Sequence, residues 1–118
     1  MTTAGRLGAW PMSEGVVDFR LWAPDIAQME LGLGDAPLPM RREADGPQWI
    51  RTTAAHGDRY RYRLPDGSEA PDPASRWQPE GVEGPSAVVA PGAYAWQTRD
   101  WSGVAWSDMV IYEAHVEA

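Results

Sequence analysis

The side chains best suited to bind a ligand lie in one proline-rich stretch. It runs from Pro71 to Ser86, reads PDPASRWQPEGVEGPS and carries Arg76 and Trp77 near its centre. Repeated prolines exclude a helix and a regular strand ladder, and they reduce the entropy lost when a loop takes one shape. We therefore expect a long, stiff, ordered loop that presents Trp77 and Arg76 to a neighbour. The alternative, a disordered linker, is disfavoured because such linkers seldom carry a central tryptophan and arginine.

Acid–base and metal chemistry have few candidates in the sequence. Glu80 and Glu83 are three residues apart on the same loop, and without a cleft to bury them they are expected to be solvated. His56 and His115 are too few and too far apart for a metal site, which needs three or four convergent ligands. No phosphate-binding glycine motif and no triad pattern is present. We therefore predict no catalytic residue, no metal site and no cofactor.

The chain contains seven tryptophans, whose apolar faces can stack on sugar rings. Trp22 and Trp49 fall inside strand patterns, so we expect them in the core. Trp96, Trp101 and Trp106 stand at irregular spacing among Gly, Ser and Asp, which is typical of aromatic side chains that pack between domains. The tryptophan of the proline-rich stretch remains the one for which binding and packing are equally favoured.

A series of short alternating segments must position these side chains. In VVDFRLW, Val16 to Trp22, the residues Val17, Phe19 and Leu21 share one face, the period of two expected of a half-buried strand. RYRYRL, Arg59 to Leu64, alternates in the same way. Further strand signals, separated by Gly, Pro and Asp turns, cover Leu7–Met12, Met29–Leu33, Met40–Arg42 and Gln48–Thr53. The pattern predicts an all-β fold, an antiparallel β-sandwich with a Trp- and Tyr-rich core.

Length and charge narrow the class of protein. A chain of 118 residues is expected to form one domain large enough to fold without disulfides. A net charge of −7 with ten scattered arginines argues against nucleic-acid binding, which requires clustered basic residues. The sequence has no apolar run long enough to span a bilayer and no leader pattern. The absence of cysteine fits a reducing compartment, and we expect a soluble, cytoplasmic protein with no membrane partner.

The last apolar run differs from the earlier strands. Met109 to Val116 reads MVIYEAHV, which is typical of a strand buried on both faces of a parallel sheet. Nothing earlier in the sequence predicts a parallel sheet, so we assign this strand to a following domain. The predicted organisation is a sandwich at residues 1–70, a Pro- and Trp-rich connector at 71–107, and the start of a further domain at 108–118.

Three segments resemble one enzyme family. They are RLGAWPMSEGVVDFRLWAP at residues 6–24, RYRYRLPDG at residues 59–67, and the proline-rich stretch followed by DMVIYEAHV at residues 108–116. Together they resemble the amino-terminal region of the α-amylase superfamily of glycoside hydrolases. The proline-rich stretch resembles that of the maltooligosyltrehalose trehalohydrolases, whereas LWAP and YEAHV are shared with glycogen branching and debranching enzymes.

The resemblance implies a fold, an activity and partners. The fold would be an immunoglobulin-like β-sandwich related to glucan-binding modules (E-set, CBM48-like), followed by a (β/α)8 barrel whose first strand is truncated here. The family hydrolyses the α-1,4-glucosidic bond next to a terminal trehalose unit with retention, which takes two neighbouring carboxylates. These lie in the barrel, so none is expected in this chain. The implied partners are the chain's own barrel and α-1,4-glucan or maltooligosyl trehalose.

The sequence departs from the family pattern at several positions. Glu83 stands where the family's loop usually has His, and the chain reads HVEA where the family continues HVGTF. Related glucan-binding modules use two tryptophans, but the corresponding stretches, residues 34–38 and 68–70, contain none. Arg61 matches a basic residue of those modules, although a lone arginine in a strand more often faces solvent.

Two functions therefore stay open. In the favoured one, the chain is a non-catalytic domain that supports the barrel, and the isolated fragment self-associates through its exposed aromatic residues. The residues packing between domains would be Trp96, Trp101, Trp106, Tyr112 and His115. In the alternative, the chain is an α-glucan-binding module or the amino-terminal domain of a branching or debranching enzyme. In either case Trp77, Arg61 and Arg76 are the candidates for carbohydrate binding or for the rim of a cleft.

Overall fold

The two alternating segments form the central strands of two antiparallel sheets. The computed structural model describes residues 6–44 and 46–117. VVDFRLW forms β2 (Val16–Trp22) in the first sheet, whose order is β1 (Gly8–Ser13), β2, β6 (Pro47–Thr53), β5 (Arg41–Arg42). RYRYR forms β7 (Arg59–Arg63) in the second sheet, whose order is β4 (Ala36–Pro39), β3 (Glu30–Leu33), β7, β8 (Glu69–Ala70), with β9 (Ser86–Ala87) also paired to β7. The predicted antiparallel β-sandwich is confirmed.

The core lies between the inward faces of these sheets. Phe19 of β2 is fully buried, and its ring meets that of Tyr60 of β7 edge-to-face at 4.9 Å between centroids. Tyr62 lies 5.9 Å from Tyr60, and Leu31 of β3 is also fully buried. Alternation with a period of two places these side chains on one face of each sheet, so the predicted inward set of β2 and β7 is correct.

A buried amide side chain joins the two sheets. Gln48 of β6 is fully buried. Its Oε1 accepts a hydrogen bond from the Met29 N–H at 2.9 Å, and its Nε2 donates to the Ile26 carbonyl at 2.7 Å. Because a buried amide without partners is costly, these bonds fix the crossing segment between β2 and β3.

The strands β8 and β9 lie one after the other along the same edge of β7. β3 pairs with residues 60–63 on one side of β7. On the other side, β8 pairs with Tyr62 and Arg63, and β9 pairs with Arg59 and Tyr60. Residues 71–85, which we call the proline loop, are therefore an excursion between two strands of one sheet edge. A strand of the sandwich thus lies within the range 71–107 predicted as a connector.

Two sequence expectations differ from the structure. Trp22 is 55% exposed, so its predicted place in the core is wrong: it shares the outward face of β2 with Asp18 and Arg20. β4 (Ala36–Pro39) was not predicted because its two prolines read as turn residues, but an edge strand tolerates proline. Residues 109–116 form no strand among the described residues, and their assignment as a strand of a following domain stays a prediction.

Helical structure is limited to two short 3-10 turns in the part of the chain that the structure describes. These are Pro91–Ala93 and Trp106–Asp108. No helix within residues 6–44 and 46–117 is long and apolar enough to cross a membrane.

Candidate functional site

The proline loop is anchored to the sandwich by a buried carboxylate. Asp72 is almost fully buried, and its Oδ2 accepts a hydrogen bond from the Tyr60 hydroxyl at 2.7 Å. Its Oδ1 accepts from the Ala74 N–H at 2.8 Å, and its own N–H donates to the Ser86 Oγ at 3.1 Å. Burial raises the pKa of the Asp72 carboxyl, although these hydrogen bonds and the Arg76 charge oppose the shift. The loop therefore begins on a fixed polar cluster.

The two tyrosines beneath this cluster are held in their neutral form. Burial is the main cause that raises the pKa of the Tyr60 hydroxyl, and the neighbouring Asp72 charge adds to it. Burial is also the main cause that raises the pKa of the Tyr62 hydroxyl, and the Asp72 charge adds to it. Among the described residues the Tyr62 hydroxyl is the one buried side-chain polar atom without a hydrogen-bond partner. Both tyrosine side chains are almost fully buried, which favours a structural role.

Arg76 joins the proline loop to the edge of the first sheet. One terminal nitrogen donates to the Ala9 carbonyl of β1 at 2.5 Å and to the Val89 carbonyl at 3.2 Å. The guanidinium also lies over the Trp10 ring, 4.1 Å from its centroid. Partial burial lowers the pKa of Arg76, and the charge of Asp72 opposes that shift. Arg76 thus covers an exposed strand edge, and its donors face protein carbonyls.

Trp77 is the exposed aromatic side chain of the loop, at 39% exposure. It stacks on His56, with 5.4 Å between ring centroids and 24° between planes, and the Arg59 guanidinium lies 5.7 Å from it. Arg59 also forms an ion pair with Glu80 at 2.9 Å. His56 Nδ1 accepts a hydrogen bond from the Ala90 N–H at 3.0 Å. Trp77 is therefore partly covered by neighbours of its own chain.

Arg61 lies apart from the other two candidates for carbohydrate binding. It is half-buried on the outward face of β7, opposite Gly32 of β3. It lines a shallow groove with Glu69 and Pro85, whereas Arg76 contacts the first sheet. The structure therefore does not bring Arg61, Arg76 and Trp77 together into one site.

The predicted interdomain residues all lie in an exposed segment, residues 94–117, which we call the terminal segment. Trp106 is 80% exposed and Tyr112 is 90% exposed, and Trp96, Trp101 and His115 are exposed as well. Tyr94 contacts Trp96 edge-to-face at 4.8 Å between centroids. An apolar surface of this extent is typical of an interaction site.

The described residues hold no convergent set of catalytic side chains. Glu80 is paired with Arg59, and Glu83 is exposed. No three His, Asp or Glu side chains come together as metal ligands within residues 6–44 and 46–117.

Relatives of known name match nearly the whole chain. A malto-oligosyltrehalose trehalohydrolase from Saccharolobus solfataricus is 39% identical over 109 residues, which is 91% of this chain and 19% of the relative. One from Deinococcus radiodurans is 35% identical over 112 residues, or 94% and 18%. The chain belongs to this enzyme family and corresponds to the amino-terminal part of its members. It spans about a fifth of the length of these relatives. No protein-family model matches the chain.

Solved structures place the fold in the same group of enzymes. A Salmonella typhimurium protein assigned as an alpha amylase aligns with a TM-score of 0.79 at 39% identity, over 85% of this chain and 17% of that one. A Klebsiella pneumoniae pullulanase in complex with maltotriose aligns with a TM-score of 0.63 at 28% identity, over 74% and 10%. The resemblance inferred from the three sequence segments is confirmed by these matches.

Sequence reasoning missed two features of the site. Asp72 was not recognised as an anchor, although an acid between two prolines at the start of an ordered loop was a usable signal. The exposure of Trp22 was also missed, although its parity with Asp18 and Arg20 predicts an outward side chain.

Proposed function

We propose that this chain is the non-catalytic amino-terminal domain of a maltooligosyltrehalose trehalohydrolase. The parent enzyme would hydrolyse the α-1,4-glucosidic bond next to a terminal trehalose unit and release trehalose in the cytoplasm. One observation carries the proposal: the Saccharolobus solfataricus enzyme matches 91% of this chain, whereas the chain matches 19% of that enzyme. The remaining length of such a relative is enough for a barrel of about 250 residues.

The contacts of the acidic side chains support a non-catalytic role. A retaining glycosidase needs two carboxyl groups about 5–5.5 Å apart, one of them free to protonate a leaving group. Here Asp18 binds Arg51, Glu43 binds Arg20 and Glu80 binds Arg59. Asp72 is buried beneath the proline loop. These carboxylates serve as partners for arginine or tyrosine side chains, which is a structural role.

The terminal segment is the proposed contact with the barrel. Its aromatic residues are exposed, and covering such an apolar surface stabilises an association by roughly 25 cal/mol per Å². Trp96, Trp101, Trp106, Tyr112 and His115 would pack against the barrel. In a preparation of these 118 residues alone, the same surface would promote self-association.

The parent activity is tested on the native polypeptide. An antibody raised against these 118 residues would isolate it from the source cells, and the product would be incubated with maltooligosyl trehalose. We expect a polypeptide much larger than 13.0 kDa that releases free trehalose, while the 118 residues alone release none. A native mass near 13 kDa would overturn the proposal, as would a large enzyme that changes glucan branching and releases no trehalose.

The interface is tested by oxidative footprinting of the tryptophans. Trp101 and Trp106 are expected to be oxidised readily in the isolated chain and to be protected in the native enzyme. Trp77 serves as the internal control, because its cover comes from His56 and Arg59 of the same chain. Equal oxidation of Trp106 in both preparations would contradict packing against a barrel.

A further inference from the structure

A groove at one end of the sandwich lies between the end of β2 and the start of the proline loop. Trp22 lines it together with Leu7, Leu21, Pro73 and Ala74, and its volume is about 320 Å³. We call it the Trp22 groove. Small-molecule sites start at about 300 Å³ and combine an apolar lining with a few placed polar groups. None of the residues proposed above for carbohydrate binding lies in this groove.

The backbone around Trp22 fixes its indole. Gly46 has a positive φ of 103°, and a Cβ at this position would lie 3.2 Å from two atoms of the six-membered ring of Trp22. The Gly46 backbone therefore contacts the ring, while the side chain remains 55% exposed. Pro73, which also lines the groove, follows Asp72, whose hydrogen bonds hold the loop. The walls are thus ordered before any ligand binds, which reduces the entropy lost on binding.

Charged side chains lie beside this apolar surface. Arg20 shares the outward face of β2 with Trp22 and lines the groove, and its NH1 donates to the Glu43 Oε2 at 2.9 Å. The Arg20 side chain is largely buried, whereas that of Glu43 is partly exposed. Asp72 also lines the groove, and its two carboxylate oxygens already accept hydrogen bonds from Tyr60 and from the Ala74 N–H. An indole with an adjacent fixed ion pair presents an apolar platform and hydrogen-bonding groups side by side.

This combination matches the chemistry of a pyranose ring. Such a ring has an apolar C–H face and a rim of hydroxyls that both donate and accept hydrogen bonds. A purely apolar ligand would gain nothing from the Arg20–Glu43 pair, and an anion would meet an arginine that Glu43 already neutralises, on a chain of net charge −7. We propose that the Trp22 groove binds one pyranose unit of an α-1,4-glucan, with Trp22 as the stacking platform. The choice of α-1,4-glucan rests on the proposed function.

The experiment follows the indole N–H signals of the chain in two-dimensional NMR spectra during a titration with maltotriose to about 10 mM. The Trp22 signal is assigned by its absence in Trp22→Ala. We expect this signal to shift with saturation in the wild type, and the affinity of Trp22→Ala to fall about tenfold or more. Trp106→Ala removes a still more exposed tryptophan outside the groove and should bind as the wild type does.

Each outcome decides the proposal. Failure of the Trp22 signal to shift, or saturation at Trp77 instead, would overturn it, and this wild-type measurement stands even if Trp22→Ala does not fold. Equal binding of cellotriose, which has β-1,4 links, would overturn the assignment to α-glucan. Trehalose release by the native polypeptide is measured separately. A silent groove in an active enzyme would therefore reject the site alone, and an inactive enzyme with a responsive groove would reject the proposed function alone.

Discussion

The proline loop and the terminal segment are both rich in turns, carry tryptophan and contain no regular strand, yet one is fixed to the sandwich and the other is exposed. The loop is anchored by the buried carboxylate of Asp72 and by the guanidinium of Arg76, which bonds carbonyls of β1 and of Val89. No residue of the terminal segment is buried. Polar side chains with buried partners therefore distinguish the fixed segment, and aromatic content alone does not fix a strandless chain.

The tryptophans of the two regions differ in the same way, since one has partners within the chain and the other is exposed. Trp77 is stacked on His56 within the sandwich, whereas Trp106 is 80% exposed in the terminal segment. A side chain that already has partners contributes to the stability of the isolated chain. One that lacks them contributes only when another surface covers it. Stability measurements on matched variants can therefore show which parts of the chain are complete.

The largest expected effect comes from the core. Phe19→Ala removes a fully buried ring that meets Tyr60 edge-to-face, so the free energy of unfolding should fall by about 3–5 kcal/mol. Trp106→Ala removes a larger ring from the exposed terminal segment and should change the free energy of unfolding by less than about 0.5 kcal/mol. Chemical denaturation of both variants gives the comparison. A loss of several kcal/mol in Trp106→Ala would mean that the terminal segment is packed within this chain.

The next largest effect is expected at the anchor of the proline loop. In Asp72 each carboxylate oxygen accepts one hydrogen bond, from the Tyr60 hydroxyl and from the Ala74 N–H. In Asp72→Asn an amide nitrogen, which cannot accept, replaces one of these oxygens, so a buried donor loses its partner. The free energy of unfolding should fall by about 1–3 kcal/mol. Asp108→Asn in the exposed terminal segment is the matched control and should be neutral. An Asp72→Asn variant as stable as the wild type would show that the carboxylate does not hold the loop.

The stability difference between the wild type and Asp72→Asn should depend on pH with a definite sign. Burial raises the pKa of Asp72 above its ordinary value of 3.8, so the folded chain holds this proton more tightly than the unfolded chain. The stabilising contribution is therefore fully present below pH 3.8 and is lost as the pH rises through the raised pKa. The stability of the wild type relative to Asp72→Asn should fall over that interval. A rise instead would mean that the Tyr60 and Ala74 hydrogen bonds lower the pKa overall.

The fold could be predicted because strand alternation is a local property. Val17, Phe19 and Leu21 identify the buried face of β2 from the sequence alone. The same alternation places Trp22 on the outward face of β2. Its large apolar side chain nevertheless suggests burial, and here the position in the strand decides. β4 was missed because its prolines, which end most strands, are compatible with a sheet edge that needs no donor on its open side.

The partners in the candidate site could not be predicted, because they lie far apart in the sequence. Arg76 donates to Ala9, which is 67 residues away, and Tyr60 reaches Asp72 across 12 residues and the β7–β8 turn. Strand alternation and turn residues give no information about pairs so far apart in the sequence. Sequence reasoning identified Arg76 and Trp77 as notable but could not show that their polar and aromatic groups face their own chain.

A smaller effect is expected for the second attachment of the loop. Arg76→Ala removes donors to Ala9 and Val89 and the cation–π contact with Trp10, so stability should fall by about 1–2 kcal/mol. Arg99→Ala removes an arginine from the terminal segment and should be neutral. Hydrogen exchange at the edge of β1 should accelerate in the first variant alone. Unchanged exchange there would show that Arg76 is not needed to cover the strand edge.

The smallest expected effect is at the junction between the two regions, where His56 Nδ1 accepts from the Ala90 N–H. His56→Phe keeps an aromatic ring to stack on Trp77 but removes this acceptor, and Ala90 lies at the surface where water can replace it. Stability should therefore fall by less than about 1 kcal/mol, with faster exchange of the Ala90 amide. His115→Phe, in the exposed terminal segment, should leave that amide unchanged. If exchange at Ala90 is unaffected in His56→Phe, the boundary between the fixed and exposed regions lies before residue 90, because the hydrogen bond then does not hold the chain there.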